Sequence, residues 1–272
     1  MTLLRNRLLL VLSLLAGFAP GLAQAHKFWL LPSSTVLSGE GDWVTVDAAR
    51  SNDPFIFNHN RMGLDGLQIR APDGRTVAPE NLQEMEIRSV FDVQINQPGS
   101  WKIAVVDDGL FARYERNGES HRWRGTAAAF KSEVPADADK LRVSERISRA
   151  EVFVTSGAPS REALEPTGRG LELVPQTHFN DLYAGETARF TLLLDGKPAS
   201  GVDVEIIPGG GRYRDALNSM KLRSGDKGLI EITWPRAGMY YLEASVSDQQ
   251  TSSEAASQRR LTYVATLEVL PL

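Results

Sequence analysis

Residues 185–198 read Gly185-Glu186-Thr187-Ala188-Arg189-Phe190-Thr191-Leu192-Leu193-Leu194-Asp195-Gly196-Lys197-Pro198, and this stretch decides the fold. Ala188 to Leu194 has the length and apolar, branched character of a strand, and Asp195-Gly196-Lys197-Pro198 is a turn. Val202 to Ile207 is the next strand, so a hairpin between the two runs is expected. The same grammar continues downstream. Gly225-Asp226-Lys227-Gly228 leads into Leu229 to Trp234, Pro235 to Gly238 turns the chain, and Met239 to Val246 and Leu261 to Leu270 supply closing strands. About seven short strands at this spacing predict an immunoglobulin-like or transthyretin-like sandwich over residues 171–272.

Upstream, Trp43-Val44-Thr45-Val46-Asp47-Ala48 and Ser89-Val90-Phe91-Asp92-Val93-Gln94-Ile95 alternate apolar with polar or small residues, as strands with one buried face do. Ala71-Pro72-Asp73-Gly74-Arg75 and Gln97-Pro98-Gly99-Ser100 are turns in which Pro presets one φ and Gly accepts a positive one, and Trp101 to Val106 follows as a strand. The charged stretch 136–150 has room for a short helical turn, while Ile147 to Thr155 reads as strand again. Gly157-Ala158-Pro159-Ser160 and Glu165-Pro166-Thr167-Gly168-Arg169-Gly170 form a polar link. The expectation is therefore all-β: a β-sandwich domain at 26–156, a link at 157–170 and a second sandwich at 171–272. Most of Phe28, Trp29, Trp43, Trp101, Trp123 and Trp234 occupy strand positions, so burial is expected of them rather than a carbohydrate platform.

The compartment is read from residues 1–25. Arg5 and Arg7 precede the apolar run Leu8 to Phe18, which leads to Ala23-Gln24-Ala25, the order of a secretory signal peptide cleaved after Ala25. That run is shorter than the roughly 20 residues a transmembrane helix needs. A periplasmic protein that does not span the membrane is expected. Losing Arg5 and Arg7 takes the basic count from 30 to 28 against 34 acids, a net charge of about −6, which offers no reason to expect nucleic acid or an anionic membrane as partner. With no cysteine, disulfides and thiolate metal sites are excluded.

Several segments resemble a bacterial periplasmic family, the domain of unknown function 4198. They are Ala25-His26-Lys27-Phe28-Trp29-Leu30, Asn58-His59 near Asp53-Pro54, and Gly170-Leu171-Glu172-Leu173-Val174-Pro175. Leu194-Asp195-Gly196-Lys197-Pro198, Ala237-Gly238-Met239-Tyr240 and Arg259-Arg260-Leu261 to Pro271 complete the set. Some members are described as nickel or cobalt uptake components, so the resemblance implies the compartment, the fold and a metal as cargo.

The four histidines are His26, His59, His121 and His178, and in a cysteine-free chain they are the best ligands for nickel, cobalt, copper or zinc. Cleavage after Ala25 makes His26 the N-terminus, where its α-amine and imidazole Nδ1 can chelate one ion together. The alternative for His26 is packing at a sheet edge. His59 lies in a polar loop, where a side chain is easily aimed at an ion, or hydrogen-bonds its own loop. His178 sits where the second domain begins, placed to complete a site between domains or to hydrogen-bond across them. His121 stands between Arg122 and Arg124, which oppose a cation.

The expected function is a periplasmic binding protein that captures a divalent transition metal, or a small chelate of one, through His26, His59 and His178 and passes it to a membrane uptake system. An amine with two imidazoles also resembles the histidine brace of copper monooxygenases, so a copper oxidase is one alternative and a non-catalytic interaction module another. No Gly-x-Ser-x-Gly elbow, His-Glu-x-x-His pair or thiol proposes other catalysis. Pro208-Gly209-Gly210-Gly211-Arg212-Tyr213-Arg214 lacks the ending of a phosphate loop and reads as a mobile connection.

Overall fold

The computed structural model describes residues 26–39 and 41–272. The expected signal peptide at 1–25 lies outside the described residues. The described residues form three sheets, stacked so that the middle one is common to two sandwiches. The outer sheet on one side has the order β1 (Lys27–Pro32), β3 (Asp42–Ser51), β8 (Ser89–Ile95), β7 (Glu80–Glu84), with β4 (Asn60–Arg61) beside β3. The central sheet runs β16 (Met220–Arg223), β15 (Asp203–Pro208), β18 (Gly238–Asp248), β19 (Gln258–Val269), β11 (Asp139–Ser156), β9 (Gly99–Arg116), β5 (Leu67–Arg70), β6 (Thr76–Val77). In it, β10 (Glu119–Gly125) flanks β9 and β2 (Val36–Leu37) flanks β11. The third sheet has the order β12 (Leu171–Pro175), β13 (Thr187–Leu194), β14 (Lys197–Pro198), with β17 (Leu229–Thr233) beside β13.

Alternation along a strand sends side chains to opposite faces, and the central sheet uses both. Tyr240, Leu242 and Ala244 of β18, with Leu261, Tyr263, Ala265 and Leu267 of β19, enter the core under the third sheet. Tyr241 and Val264, between them, enter the core shared with Trp29, Val44, Val46 and Phe91 of the outer sheet. The second half of β11 is buried without a break, as expected of a strand covered on both faces. The fold is all-β and built of sandwiches, as the sequence predicts.

One pairing joins the halves. β11 and β19 run parallel from Ser144↔Gln258 to Val152↔Thr266, so the central sheet continues across the expected link. The link is packed: Ala163 and Leu164 are buried on a 3-10 turn, and Lys102 Nζ donates to the Glu165 carbonyl at 3.0 Å.

The opening stretch of sequence needs one correction. Asp195 (φ 50°) and Gly196 (φ 74°) make the expected left-handed turn, but it returns only into β14. Val204, Ile206 and the rest of β15 join the central sheet instead, facing β13 across the core rather than pairing with it. The charged stretch 136–150 holds no helix. The short helix α1 (Ala127–Glu133) precedes it, capped by the Thr126 hydroxyl, which accepts from the Ala129 N–H at 3.2 Å. The segment expected to be mobile, 208–214, is instead tied down by Arg214, whose guanidinium donates to the carbonyls of Pro208, Gly209, Ala216 and Leu217.

Candidate metal centre

His26 immediately precedes β1, whose first residue Lys27 pairs with Ser51 at the end of β3. β4 lies on the other side of β3, with Asn60 opposite Arg50. The loop 52–59 therefore has to arch over the end of β3, and its aromatic residues fix the arch. Phe55 and Phe57 meet the buried Trp29 ring edge-on at 6.0 and 5.9 Å, and Phe55 also meets Tyr241 at 6.5 Å. Phe55 is held at φ 63°, a left-handed conformation that bulky residues avoid at a cost of about 1–3 kcal/mol, offset here by those contacts. The Arg88 guanidinium covers Phe57 at 5.4 Å, and the Ser51 hydroxyl donates to Asn58 Oδ1 at 2.5 Å.

Two residues beyond Phe57, the chain delivers His59 to His26. Their ring centroids are 4.1 Å apart with the planes tilted by 52°, and both side chains are exposed. The start of β1 is fixed from below, because Lys27 Nζ pairs with Glu205 at 2.7 Å and Glu243 at 3.2 Å over the Tyr241 ring. Two adjacent, accessible imidazoles form a donor set that suits nickel, cobalt, copper or zinc. Among the described residues no cluster of three or more His, Asp or Glu side chains is arranged to hold a metal. A third nitrogen close to the pair would be the His26 α-amine of a chain cleaved after Ala25.

His178 is not brought to this pair, and its assignment as a ligand is corrected. It is buried in a polar knot between β9, β11 and the link. Its Nδ1 accepts from the Asn180 N–H at 3.1 Å, so the proton is on Nε2, which donates to the Ser160 carbonyl at 3.1 Å with the Ser100 hydroxyl 3.0 Å away. Neither nitrogen has a free lone pair for an ion. Burial lowers its pKa below the usual 6.5, partly opposed by the Ser160 hydrogen bond. The unfolded chain thus takes up a proton near pH 6.5 that the folded chain refuses, so this contribution to stability is whole above that pH and is lost as pH falls through it. Urea unfolding at about pH 7.5 and about pH 5.5 checks this, and His178→Gln should flatten that pH dependence relative to the parent. His121 stacks on its cross-strand neighbour Tyr114, with centroids 5.2 Å apart.

The loop serves a second feature. Phe55 also lines an open cleft of about 590 Å³ with Leu31, Pro208, Tyr213, Arg236 and Met239. Sequence reasoning found both histidines by residue type but missed Phe55, Phe57 and Trp29 as the parts that bring them together. The pair of aromatics two residues apart in a polar loop was the available signal.

The architecture and the histidine pair define a cysteine-free protein of two sandwiches on a shared sheet, with exposed imidazoles at the start of its first strand. The family model described as Domain of unknown function (DUF4198) matches residues 23–248, and the chain belongs to that family. No curated protein matches it. Among solved structures, the D0-D1 domain of intimin is 9% identical over 89% of this chain and 97% of that one, with a TM-score of 0.23. A DUF4785 family protein from Legionella pneumophila is 10% identical over 79% of this chain and 50% of that one, also at 0.23. Latent PorU from Porphyromonas gingivalis is 12% identical over 90% of this chain and 20% of that one, at 0.19.

Proposed function

We propose that this protein captures a divalent transition metal ion in the periplasm and passes it to a membrane uptake system. The His26 imidazole, the α-amine freed by cleavage after Ala25 and the His59 imidazole are the ligands. The observation that carries this reading is the 4.1 Å approach of two exposed histidine rings from opposite sides of β3. Nickel or cobalt is the favoured cargo from the family resemblance, although affinity order alone favours copper. The neighbouring cleft, sharing Phe55 with the His59 loop, gives the organic body of a metal chelate a place to rest.

Calorimetric titration with nickel, cobalt, copper and zinc tests it on chain whose N-terminus is verified as His26. About one ion per chain is expected, with affinity falling as pH falls because binding displaces protons. One extra residue before His26, or His59→Ala, should each weaken binding at least tenfold, about 1.4 kcal/mol. Equal binding by all three proteins would sink the assignment. The same three nitrogens are the donor set of a histidine brace, so a copper oxidase is the second reading. Oxygen consumption by the copper-loaded protein with a reductant separates the two, since a carrier consumes none.

A further inference from the structure

The net negative charge conceals a strongly basic surface. β10, β9, β11 and β19 are neighbours, and their register sets Arg122, Arg113 and Arg142 in one cross-strand row. The next row holds Arg124, Phe111, Ser144 and Gln258, and the one after it Gly109, Arg146 and Arg260. Residues directly opposite one another, and residues two apart along a strand, share a face. Six arginines therefore stand on one face, at spacings of about 5 Å across strands and about 7 Å along them. All six are exposed. The opposite face carries Leu110, Ala112 and Val143 and is covered by Phe130 of α1.

Phe111 is the centre of the patch. The Arg146 guanidinium lies 4.4 Å over its ring and that of Arg113 5.6 Å. Among the described residues, Asp107 on Arg124 is the single carboxylate in salt-bridge range of any of the six. Nearby acids have other partners: Glu115 holds Lys140 at 2.7 Å and Asp108 holds Arg169 at 2.6 Å. Gathering like charges costs stability. The arginines also crowd one another, since burial first, and then Arg260, Arg124 and Arg113, lower the pKa of Arg146.

We infer that this face docks the protein onto the phosphate headgroups of an anionic membrane. Charge complementarity carries the inference: guanidinium forks match phosphate oxygens in pairs. The array extends in two dimensions over four strands, and none of its arginines lines the cleft beside Phe55, so it fits a field of headgroups better than a single extended polyanion. The protein needs no spanning segment for this, and no helix among the described residues is long and apolar enough to cross a membrane.

Co-sedimentation of the full protein with vesicles of phosphatidylglycerol and phosphatidylethanolamine, against vesicles of phosphatidylcholine, is the test. Binding only to the anionic vesicles, falling steeply with added salt, is expected. Each arginine neutralised should lower partitioning about fivefold, so R113Q/R142Q/R146Q should lose roughly a hundredfold. R75Q/R189Q/R223Q removes the same charge elsewhere and should bind nearly as the parent does; circular dichroism and thermal melting confirm that both variants fold. The inference is overturned if the parent ignores anionic vesicles, if the two triple variants bind equally, or if the patch captures soluble polyphosphate or an acidic protein while vesicles are left alone.

Discussion

Arg149→Ala is expected to lower stability by about 3–5 kcal/mol, among the largest losses any single substitution in this chain should cause. The guanidinium is buried in the central sheet, where Nη1 lies 3.3 Å from Glu151 and Nη2 3.6 Å from Glu172. Nη2 also donates to the Thr167 hydroxyl at 2.9 Å. Removing it leaves two buried carboxylates, Glu151 and Glu172, with Lys102 as the nearby buried cation between them. Those carboxylates have other donors, because Tyr263 donates to Glu151 at 2.9 Å and the Thr167 and Gly168 N–H groups donate to Glu172 at 2.8 and 2.7 Å. Burial and then the Glu151 charge hold the Tyr263 phenol well above its usual pKa of 10, so Tyr263 stays a donor throughout the ordinary pH range. Hydrogen bonds alone do not replace a countercharge in a low-dielectric interior. Urea unfolding measures the loss, and Arg149→Met with Glu151→Leu should recover much of it by removing charge from both sides. A loss below about 1 kcal/mol would mean that the cluster is solvated like a surface pair.

Trp29→Ala should have two effects, on stability and on the proposed metal site. Trp29 is fully buried, and truncating an indole in a packed core costs about 3–5 kcal/mol. The second effect follows from what the ring supports, since Phe55 and Phe57 both rest on it and the His59 loop is shaped by them. Metal affinity should therefore fall at least tenfold although neither histidine is touched. Trp29→Phe should restore most of both. The indole N–H has no hydrogen-bond partner among the described residues, so the smaller ring leaves no orphaned acceptor. Unfolding together with calorimetry on one preparation reads both effects, and unchanged affinity in a folded Trp29→Ala protein would show that the loop keeps its shape unaided.

The strands were legible because period and turn chemistry are local. Ala188 to Leu194, Leu229 to Trp234, Met239 to Val246 and Leu261 to Leu270 all coincide with strands to within three residues. Partner choice was not legible in the same way. The turn after Leu194 predicts a return of the chain, yet where β15 goes is settled by β18 and β19, which no nearby residue announces. Burial of Trp29, Trp101 and Trp234 followed from their strand positions, whereas Trp43, on the outer face of β3, is 47% exposed. The histidine pair was half legible: residue type selected His26 and His59, but their approach depends on aromatic contacts made by a loop of irregular backbone. For His178 the residue type and its place at the start of the second domain left two readings, a ligand between the domains or a hydrogen bond across them, and the buried network with Ser100, Ser160 and Asn180 is the second. The arginine rows were invisible for a different reason. Each arginine is unremarked in its own strand, and only register brings them together, while net charge averages them away.

The parallel pairing of β11 with β19 also sets the order in which the molecule can be completed. Glu151 meets the Tyr263 hydroxyl across 112 residues of chain. During synthesis, the middle of the central sheet must wait with an open edge until β19, 112 residues further along at the Glu151–Tyr263 contact, closes it. Non-local strand pairings are slow and leave backbone groups exposed in the meantime. The basic, charged end of β11 pairs early with β9 and repels like copies of itself, so it guards the edge against neighbouring chains during that wait.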